Sequence, residues 1–153
     1  KSGEPRVVAP VYSHMVYDVT DEVITVKRPD ILIIEGLNVL QPARRRADGT
    51  QGLAVSDFFD FSVYVDAETS DIRSWYLNRF LELRRTAFTD PRSFFTRFAT
   101  MDEAQASAFA NQVWDEVNGP NLALNVRPTM GRANVILHKG SDHSVDHVRI
   151  RKI

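Results

Sequence analysis

Arg79 is the side chain in this sequence best suited to bind an anion. It shares one face of a predicted helix with Tyr76, Phe80 and Leu83, because residues three and four apart line up on a helix. A guanidinium on an aromatic and apolar face is costly to desolvate unless it meets an anion such as a phosphate. The alternative is an arginine whose stem covers the apolar face while its charged head stays in water. The residues alone leave both interpretations open.

Glu35 is the second candidate, because it follows the apolar run 31–34 and precedes Gly36. A continuous β-branched run closed by glycine is typical of a parallel strand buried on both faces. Open α/β sheets bind their ligands at the carboxyl ends of such strands, where a carboxylate can organise Mg²⁺ and water around phosphates. A strand that merely ends in an acidic residue and a turn glycine is the alternative.

Several familiar chemistries are missing from the sequence. It contains no G-x-x-x-x-G-K-[ST] loop, no G-x-G-x-x-G fingerprint and no nucleophile elbow. His14, His138, His143 and His147 lack the spacing of zinc motifs, so we predict no metal site. The absence of cysteine excludes disulfides and thiolate ligands and fits a reducing cytoplasm. His14 could be a hydrogen-bonded structural histidine, and Asn118 could be a helix C-cap.

The elements that must position these residues alternate in an order that predicts an α/β sheet with parallel crossovers. Strands are predicted at 6–11, 31–34, 61–66, 133–137 and 145–150. One helix should run from Thr69 to about Phe88. Another should begin near Asp102, where Gln105 has capping-box spacing, and stop at 118–120, where Gly and Pro disfavour further helix.

Charge and length exclude some classes of protein. Lys plus Arg number 19 against 20 for Asp plus Glu, so no basic surface for nucleic acid or anionic membrane is expected. The apolar runs are far shorter than a bilayer-spanning helix requires. The run Arg44-Arg45-Arg46 is expected to be a solvated surface, and the opening residues 1–5 to be a loop.

Six segments in order resemble the type I pantothenate kinases, a family of P-loop kinases. They are PVYSH (10–14), DILIIEGLNVL (30–40), WYLNRF (75–80), AFTDP (87–91), NL (121–122) and VRIRK (148–152). The resemblance implies a P-loop NTPase-like kinase fold with a mostly parallel sheet. Residues 1–153 would form a single partial domain, the C-terminal half, without the family's phosphate-binding loop and catalytic Asp.

The resemblance also implies an activity. The family uses ATP and Mg²⁺ to phosphorylate pantothenate to 4'-phosphopantothenate, the first step of coenzyme A synthesis, and coenzyme A inhibits it. A cytoplasmic homodimer is implied, and the chain by itself should be inactive without its phosphate loop. A uridine kinase or phosphoribulokinase relative is the nearest alternative, opposed by the Y-S-H segment and the aromatic run 88–98. A non-catalytic coenzyme A-binding domain is another.

Site residues follow from the same resemblance. Pantothenate would contact Tyr12, His14, Tyr17, Tyr76 and Asn118. Arg79 would meet the transferring phosphate of ATP, Glu35 would end a Walker B-like strand, and His143 would lie near the adenine. The coenzyme A pocket would contain His14, Phe88 and Phe95.

Overall fold

The computed structural model describes residues 3–152, which form two compact units. One unit contains the residues up to 33 together with 77–110, and the other contains 34–76 together with 111 onward. Lys1 and Ser2 of the predicted opening loop, and Ile153, lie outside the described residues. Among the described residues, no helix has the length and apolar character needed to cross a membrane.

The first unit begins with an antiparallel hairpin. Strand β1 (Val7–Ser13) pairs with β2 (Asp18–Val26), which confirms the strand predicted at 6–11. The register shifts between Pro10 and Tyr12, and such a bulge suits a proline that has no N–H for the ladder. At the hairpin turn Tyr17 has φ +56°, a left-handed conformation that is uncommon for a residue with a side chain.

Two predicted helices are confirmed. Helix α1 (Thr69–Arg85) has Asp71 in its first turn and arginines in its last, in agreement with the helix dipole. Helix α2 (Glu103–Val113) has the predicted capping box, because Asp102 Oδ1 accepts from Gln105 N at 2.7 Å and Gln105 Oε1 accepts from Asp102 N at 3.2 Å. Short 3₁₀ turns span Val55–Phe58, Ala87–Thr89 and Thr96–Phe98.

The predicted end of α2 at 118–120 is wrong. The chain stays helical through two π turns, Trp114–Asn118 and Leu122–Val126, and a final 3₁₀ segment, Arg127–Arg132. Gly119 N–H donates to Trp114 O, a five-residue bond that shifts the ladder just before Pro120, which has no N–H to contribute. The π turns therefore carry the helix past a sequence that would stop an ordinary α-helix.

The second unit contains a three-stranded mixed sheet. Strand β3 (Val63–Ala67) runs parallel to β4 (Val135–Lys139), which pairs antiparallel with β5 (Val145–Ile150). Its core is built on Leu40, Tyr64 and Ala133. The α/β class and the strands predicted near 61–66, 133–137 and 145–150 are confirmed. The P-loop arrangement and the mostly parallel sheet stay predictions.

The predicted strand at 31–34 is wrong. These residues have no regular secondary structure, and Ile31 and Ile33 are 81% and 84% exposed. A strand is held by hydrogen bonds to a neighbouring strand, and no strand among residues 3–152 pairs with this run. An apolar run supplies the propensity for a strand but not the partner that makes one.

Candidate functional site

The first unit contains an aromatic cluster, consisting of Tyr12, His14, Tyr17, Phe94 and Phe95. Tyr12 lies 5.2 Å from His14 and 6.2 Å from Tyr17, ring centre to ring centre. Tyr17 stacks on Phe94 at 5.2 Å and meets Phe95 edge-on at 5.0 Å. A backbone hydrogen bond of 2.8 Å from Phe94 N to the oxygen of residue 15 fastens the loop to the hairpin turn. The structure therefore brings together four residues that the sequence assigned to a site.

The aromatic cluster continues into the core of the first unit. Phe95 lies 5.1 Å from Phe88, which is only 7% exposed and packs 5.8 Å from Phe80. Edge-on and offset ring pairs at these distances stabilise one another beyond their buried area. His14, Phe88 and Phe95, assigned by resemblance to one apolar pocket, thus belong to one connected set of rings.

Tyr12 gives this cluster a polar end. Its pKa is raised, first by partial burial and then by the nearby charges of Tyr17 and Asp18. The phenol therefore stays neutral at physiological pH, where it can both donate and accept a hydrogen bond.

Arg79 also belongs to the first unit and is exposed on α1. It forms no salt bridge to any carboxylate in the part of the chain that the structure describes. As an exposed residue it can offer its five donors to an anion. Phe80, the next residue, packs instead against the rings of Phe88 and Phe98.

In the second unit, Tyr76 pairs with Asn118. Burial raises the pKa of Tyr76, and a side-chain hydrogen bond with Asn118 opposes that rise. The Tyr76 ring lies 5.8 Å from the ring of Trp114, which is 5% exposed. Asn118 has helical φ and ψ and makes no capping hydrogen bond, so the C-cap alternative is wrong. The π turn directs its amide toward a phenol.

His143 lies on a second aromatic surface of this unit, which we call the indole platform and which consists of Trp75, Lys139 and His143. The imidazole stacks on the Trp75 ring at 4.4 Å, and Lys139 Nζ lies 4.8 Å from the Trp75 ring centre. Trp75 Nε1 donates to Ser141 O at 3.1 Å, which anchors the indole to the β4–β5 turn. His143 has φ +69° in that turn. The result is a flat, cationic surface.

Glu35 belongs to the second unit and lies in an irregular segment before strand β3. It is exposed and follows the run 31–34, which forms no strand, so the Walker B-like setting expected for it is absent from the described structure. Its carboxylate remains free of any salt bridge within residues 3–152.

Sequence reasoning missed three residues that shape these sites: Trp75, Trp114 and Phe94. Both tryptophans of the chain contact a predicted site residue, Trp75 through His143 and Trp114 through Tyr76. The tryptophans themselves could have indicated these sites, because a large aromatic ring next to a polar site residue often forms a wall of that site. Phe94 was missed because the sequence contains several phenylalanines in this stretch, and nothing in the sequence distinguishes the exposed ones from the buried ones.

Comparison with known proteins gives a consistent result. No family model matches the chain. A protein named pantothenate kinase from Cutibacterium acnes is 64% identical over 154 residues, covering 100% of this chain and 47% of the relative. Proteins of the same name from Nocardioides sp. and Myxococcus xanthus are 60% and 55% identical over the whole chain. The chain spans about half the length of the curated relatives it matches.

Proposed function

We propose that this chain belongs to the pantothenate kinase family and serves the ATP-dependent phosphorylation of pantothenate to 4'-phosphopantothenate, the first step of coenzyme A synthesis. The observation that carries the proposal is identity of 64% along the whole chain to a protein of that name. The chain then supplies substrate recognition and charge for phosphoryl transfer. Cytoplasmic location and a homodimer are part of the proposal.

Pantothenate recognition is assigned in the second unit to Tyr76 and Asn118. The phenol and the amide supply donors and acceptors for a small molecule rich in hydroxyl, amide and carboxylate groups. Trp114 supports the pair by holding the Tyr76 ring, which fixes the direction of the phenolic oxygen. In the first unit, Tyr12, His14 and Tyr17 are assigned to the same substrate because they form one contiguous set of polar-tipped rings.

Phosphoryl transfer is assigned to Arg79, whose exposed planar fork suits charge spread over phosphoryl oxygens. His143 is assigned to the adenine of ATP, because the indole platform offers a flat stacking surface with a cation beside it. Mg²⁺ would neutralise the phosphates of ATP when bound, and the exposed carboxylate of Glu35 would offer it an oxygen ligand of the kind it prefers.

Feedback inhibition by coenzyme A is assigned to the aromatic cluster together with Phe88. The thiol end of coenzyme A is apolar and polarizable, and sulfur packs favourably against aromatic rings. His14, Phe88 and Phe95 are the residues assigned to that contact. Phe95 connects Phe88 to Tyr17 through ring pairs at 5.1 and 5.0 Å, and Tyr12 pairs with His14 at 5.2 Å.

A kinase assay on the full-length protein tests the proposal. With ATP and Mg²⁺, pantothenate should yield 4'-phosphopantothenate by mass spectrometry, whereas uridine and ribulose 5-phosphate should yield no phosphorylated product. Residues 1–153 assayed alone should be silent beside the active parent. Turnover of uridine instead would support the alternative kinase class, and coenzyme A binding by calorimetry without any turnover would support a non-catalytic domain.

A further inference from the structure

The hairpin of β4 and β5 contains a bulge that gathers three potential metal ligands. In the ladder His138 pairs with His147, and the next residue Lys139 pairs with Val145, so Asp146 is an extra residue in β5. A bulge places two consecutive side chains opposite one residue of the neighbouring strand and re-aims them. Adjacent residues of a regular strand point to opposite faces, yet here Asp146 and His147 both reach His138.

The distances in this cluster are short. Asp146 Oδ1 lies 2.8 Å from His138 Nδ1 and 2.9 Å from His147 Nδ1, so one carboxylate oxygen meets two imidazoles. One ligand atom from each residue can be chosen so that all three lie within 4.8 Å of one another. From this geometry we propose that His138, Asp146 and His147 form a binding site for a divalent transition metal, of which Zn²⁺ is the first candidate.

The ligand set suits such a metal. Zn²⁺ binds imidazole nitrogen and carboxylate oxygen at about 2.0–2.2 Å, which places tetrahedral ligands about 3.3 Å apart. A small rotation of the Asp146 carboxylate opens its present contacts of 2.8 and 2.9 Å to that separation. Two nitrogens and one oxygen leave a coordination position for water, as in open zinc sites. Hard ions such as Mg²⁺ prefer all-oxygen sites and fit less well.

Electrostatics around the cluster also favour a cation. Besides Asp146, the carboxylates of Asp66 and Glu68 place negative charge near His138. The two nearby cationic side chains have other partners, since Lys139 lies over the Trp75 ring at 4.8 Å and Arg149 pairs with Asp66 at 3.7 Å.

Access for a metal ion is open. The side chains of His138, Asp146 and His147 are 24%, 43% and 75% exposed, so a hydrated ion can enter from solvent. None of the three is assigned to pantothenate, ATP or coenzyme A, so the metal site and the proposed kinase function can fail independently. A bound ion would cross-link β4 to the bulge of β5.

Metal titration of the full-length protein tests the site. After treatment with EDTA and desalting, the protein should take up one Zn²⁺ at this site by calorimetry. Co²⁺ should give the visible absorption of a low-symmetry, nitrogen-containing site. Loss of a mere supporting partner of a ligand costs roughly 10–100-fold in metal affinity, so loss of a ligand itself should cost at least tenfold. We expect that loss for His147→Gln and for Asp146→Asn.

His14→Gln is the matched control, because it removes an exposed imidazole from the other unit and should leave the Zn²⁺ affinity unchanged. His147 is itself exposed, so its replacement should preserve the fold, as circular dichroism will check. Imidazole nitrogen resonances add a direct readout, since those of His138 and His147 should shift on Zn²⁺ addition. Unchanged resonances, equal affinity of His147→Gln and parent, or loss of the ion from His14→Gln would each overturn the proposal.

Discussion

The aromatic cluster of the first unit and the Tyr76–Asn118 pair of the second are held together in different ways. The cluster consists of rings that hold one another at centre distances of 5.0–6.2 Å, with exposed polar tips on Tyr12 and His14. The pair depends on a polar contact between the half-buried phenol of Tyr76 and the amide of Asn118, beside the buried indole of Trp114.

The difference lies in what each region can discriminate. Ring packing is tolerant of chemistry, because many apolar groups gain similar contact energy against an aromatic wall. A buried hydrogen bond is demanding, because a ligand that leaves its donor or acceptor unpaired loses about 1–3 kcal/mol. The cluster therefore suits the apolar end of an inhibitor, whereas the pair suits the polar groups of a substrate.

The largest effect should come from Arg79, which belongs to neither region. Arg79→Ala should lower kcat by roughly 10²-fold or more with little change in KM for pantothenate, because charge on the phosphoryl group is met mainly in the transition state. Steady-state kinetics of the full-length enzyme measure this. Arg85→Ala, an exposed arginine later on α1, is the control and should retain activity. An undiminished kcat in Arg79→Ala would remove it from the mechanism.

Gly119→Ala should disturb the packing of Trp114 beside the Tyr76–Asn118 pair. A Cβ at this position would lie 3.0 Å from Trp114 O and 3.3 Å from the Trp114 indole nitrogen, so the backbone or the indole of Trp114 must give by a few tenths of an ångström. Such overpacking costs about 1–3 kcal/mol in the free energy of unfolding. Denaturant unfolding and calorimetry with pantothenate measure both consequences. Gly131→Ala is the matched control, because its Cβ meets nothing within 4 Å. Equal behaviour of the two variants would contradict the tight contact.

Tyr76→Phe should weaken pantothenate binding without affecting ATP. The loss of one hydrogen bond corresponds to about 1 kcal/mol, roughly fivefold in affinity. Asn118→Ala should have a similar effect, and the double variant should be less than additive because both changes remove the same bond. Calorimetry with each ligand completes the cycle. Strict additivity would show that the two residues act separately.

Phe95→Leu should relieve inhibition by coenzyme A more than it harms turnover. The substitution keeps an apolar side chain of similar volume but removes ring pairs worth about 0.5–1.5 kcal/mol, so the inhibitory concentration should rise roughly threefold. Phe61→Leu is the control, since Phe61 is 62% exposed and belongs to the other unit. If both variants are inhibited like the parent, the cluster is not the inhibitor pocket.

Two apolar runs show how far the sequence could predict the fold. The runs 31–34 and 63–67 carry similar strand propensity, yet only the second forms a strand, because β4 lies beside it. Local pattern also correctly predicted α1 and the capping box of α2, whose determinants lie within one turn. It failed at Gly119-Pro120, where the hydrogen bond from Gly119 N to Trp114 O changes the helix type instead of ending the helix.

The candidate site residues could be named from the sequence, but the contacts between them could not. Resemblance named four members of the aromatic cluster (Tyr12, His14, Tyr17 and Phe95) and also Tyr76 and Asn118. Nothing local indicated that a phenol and an amide more than forty residues apart would pair. The prediction of no metal site rested on spacing along the chain. His138 and His147 are register partners across a bulge, a relation that appears only once the strands are paired.

The smallest predicted effect concerns the turn that carries the cluster's phenylalanines. The Asp90 carboxylate accepts from Arg92 Nη2 at 2.8 Å, Arg92 Nε at 3.1 Å and the Arg92 backbone N–H at 2.9 Å. These bonds lower the pKa of Asp90 to about 2, against about 3.9 for an unfolded aspartate. The folded state therefore binds the Asp90 proton less readily than the unfolded state, so this contribution to stability is complete above pH 4 and is lost as pH falls through about 2.

Asp90→Asn should consequently be less stable than the parent at pH 6, and the difference should shrink progressively toward pH 2. Arg92→Leu should return the pKa of Asp90 toward its ordinary value, as carboxyl resonances followed by NMR will show. Thr96 Oγ1 donates to the backbone carbonyl oxygen of Asp90 at 3.0 Å, so the residue whose carboxylate becomes protonated also anchors the segment that holds Phe94 and Phe95. Acid should therefore loosen that segment. The Tyr76–Asn118 pair has no carboxylate in its hydrogen bond and should be unaffected over the same range. If the side-chain resonances of Tyr76 and Asn118 shift in parallel with those of Phe94 and Phe95 between pH 4 and pH 2, the two regions do not differ in this way.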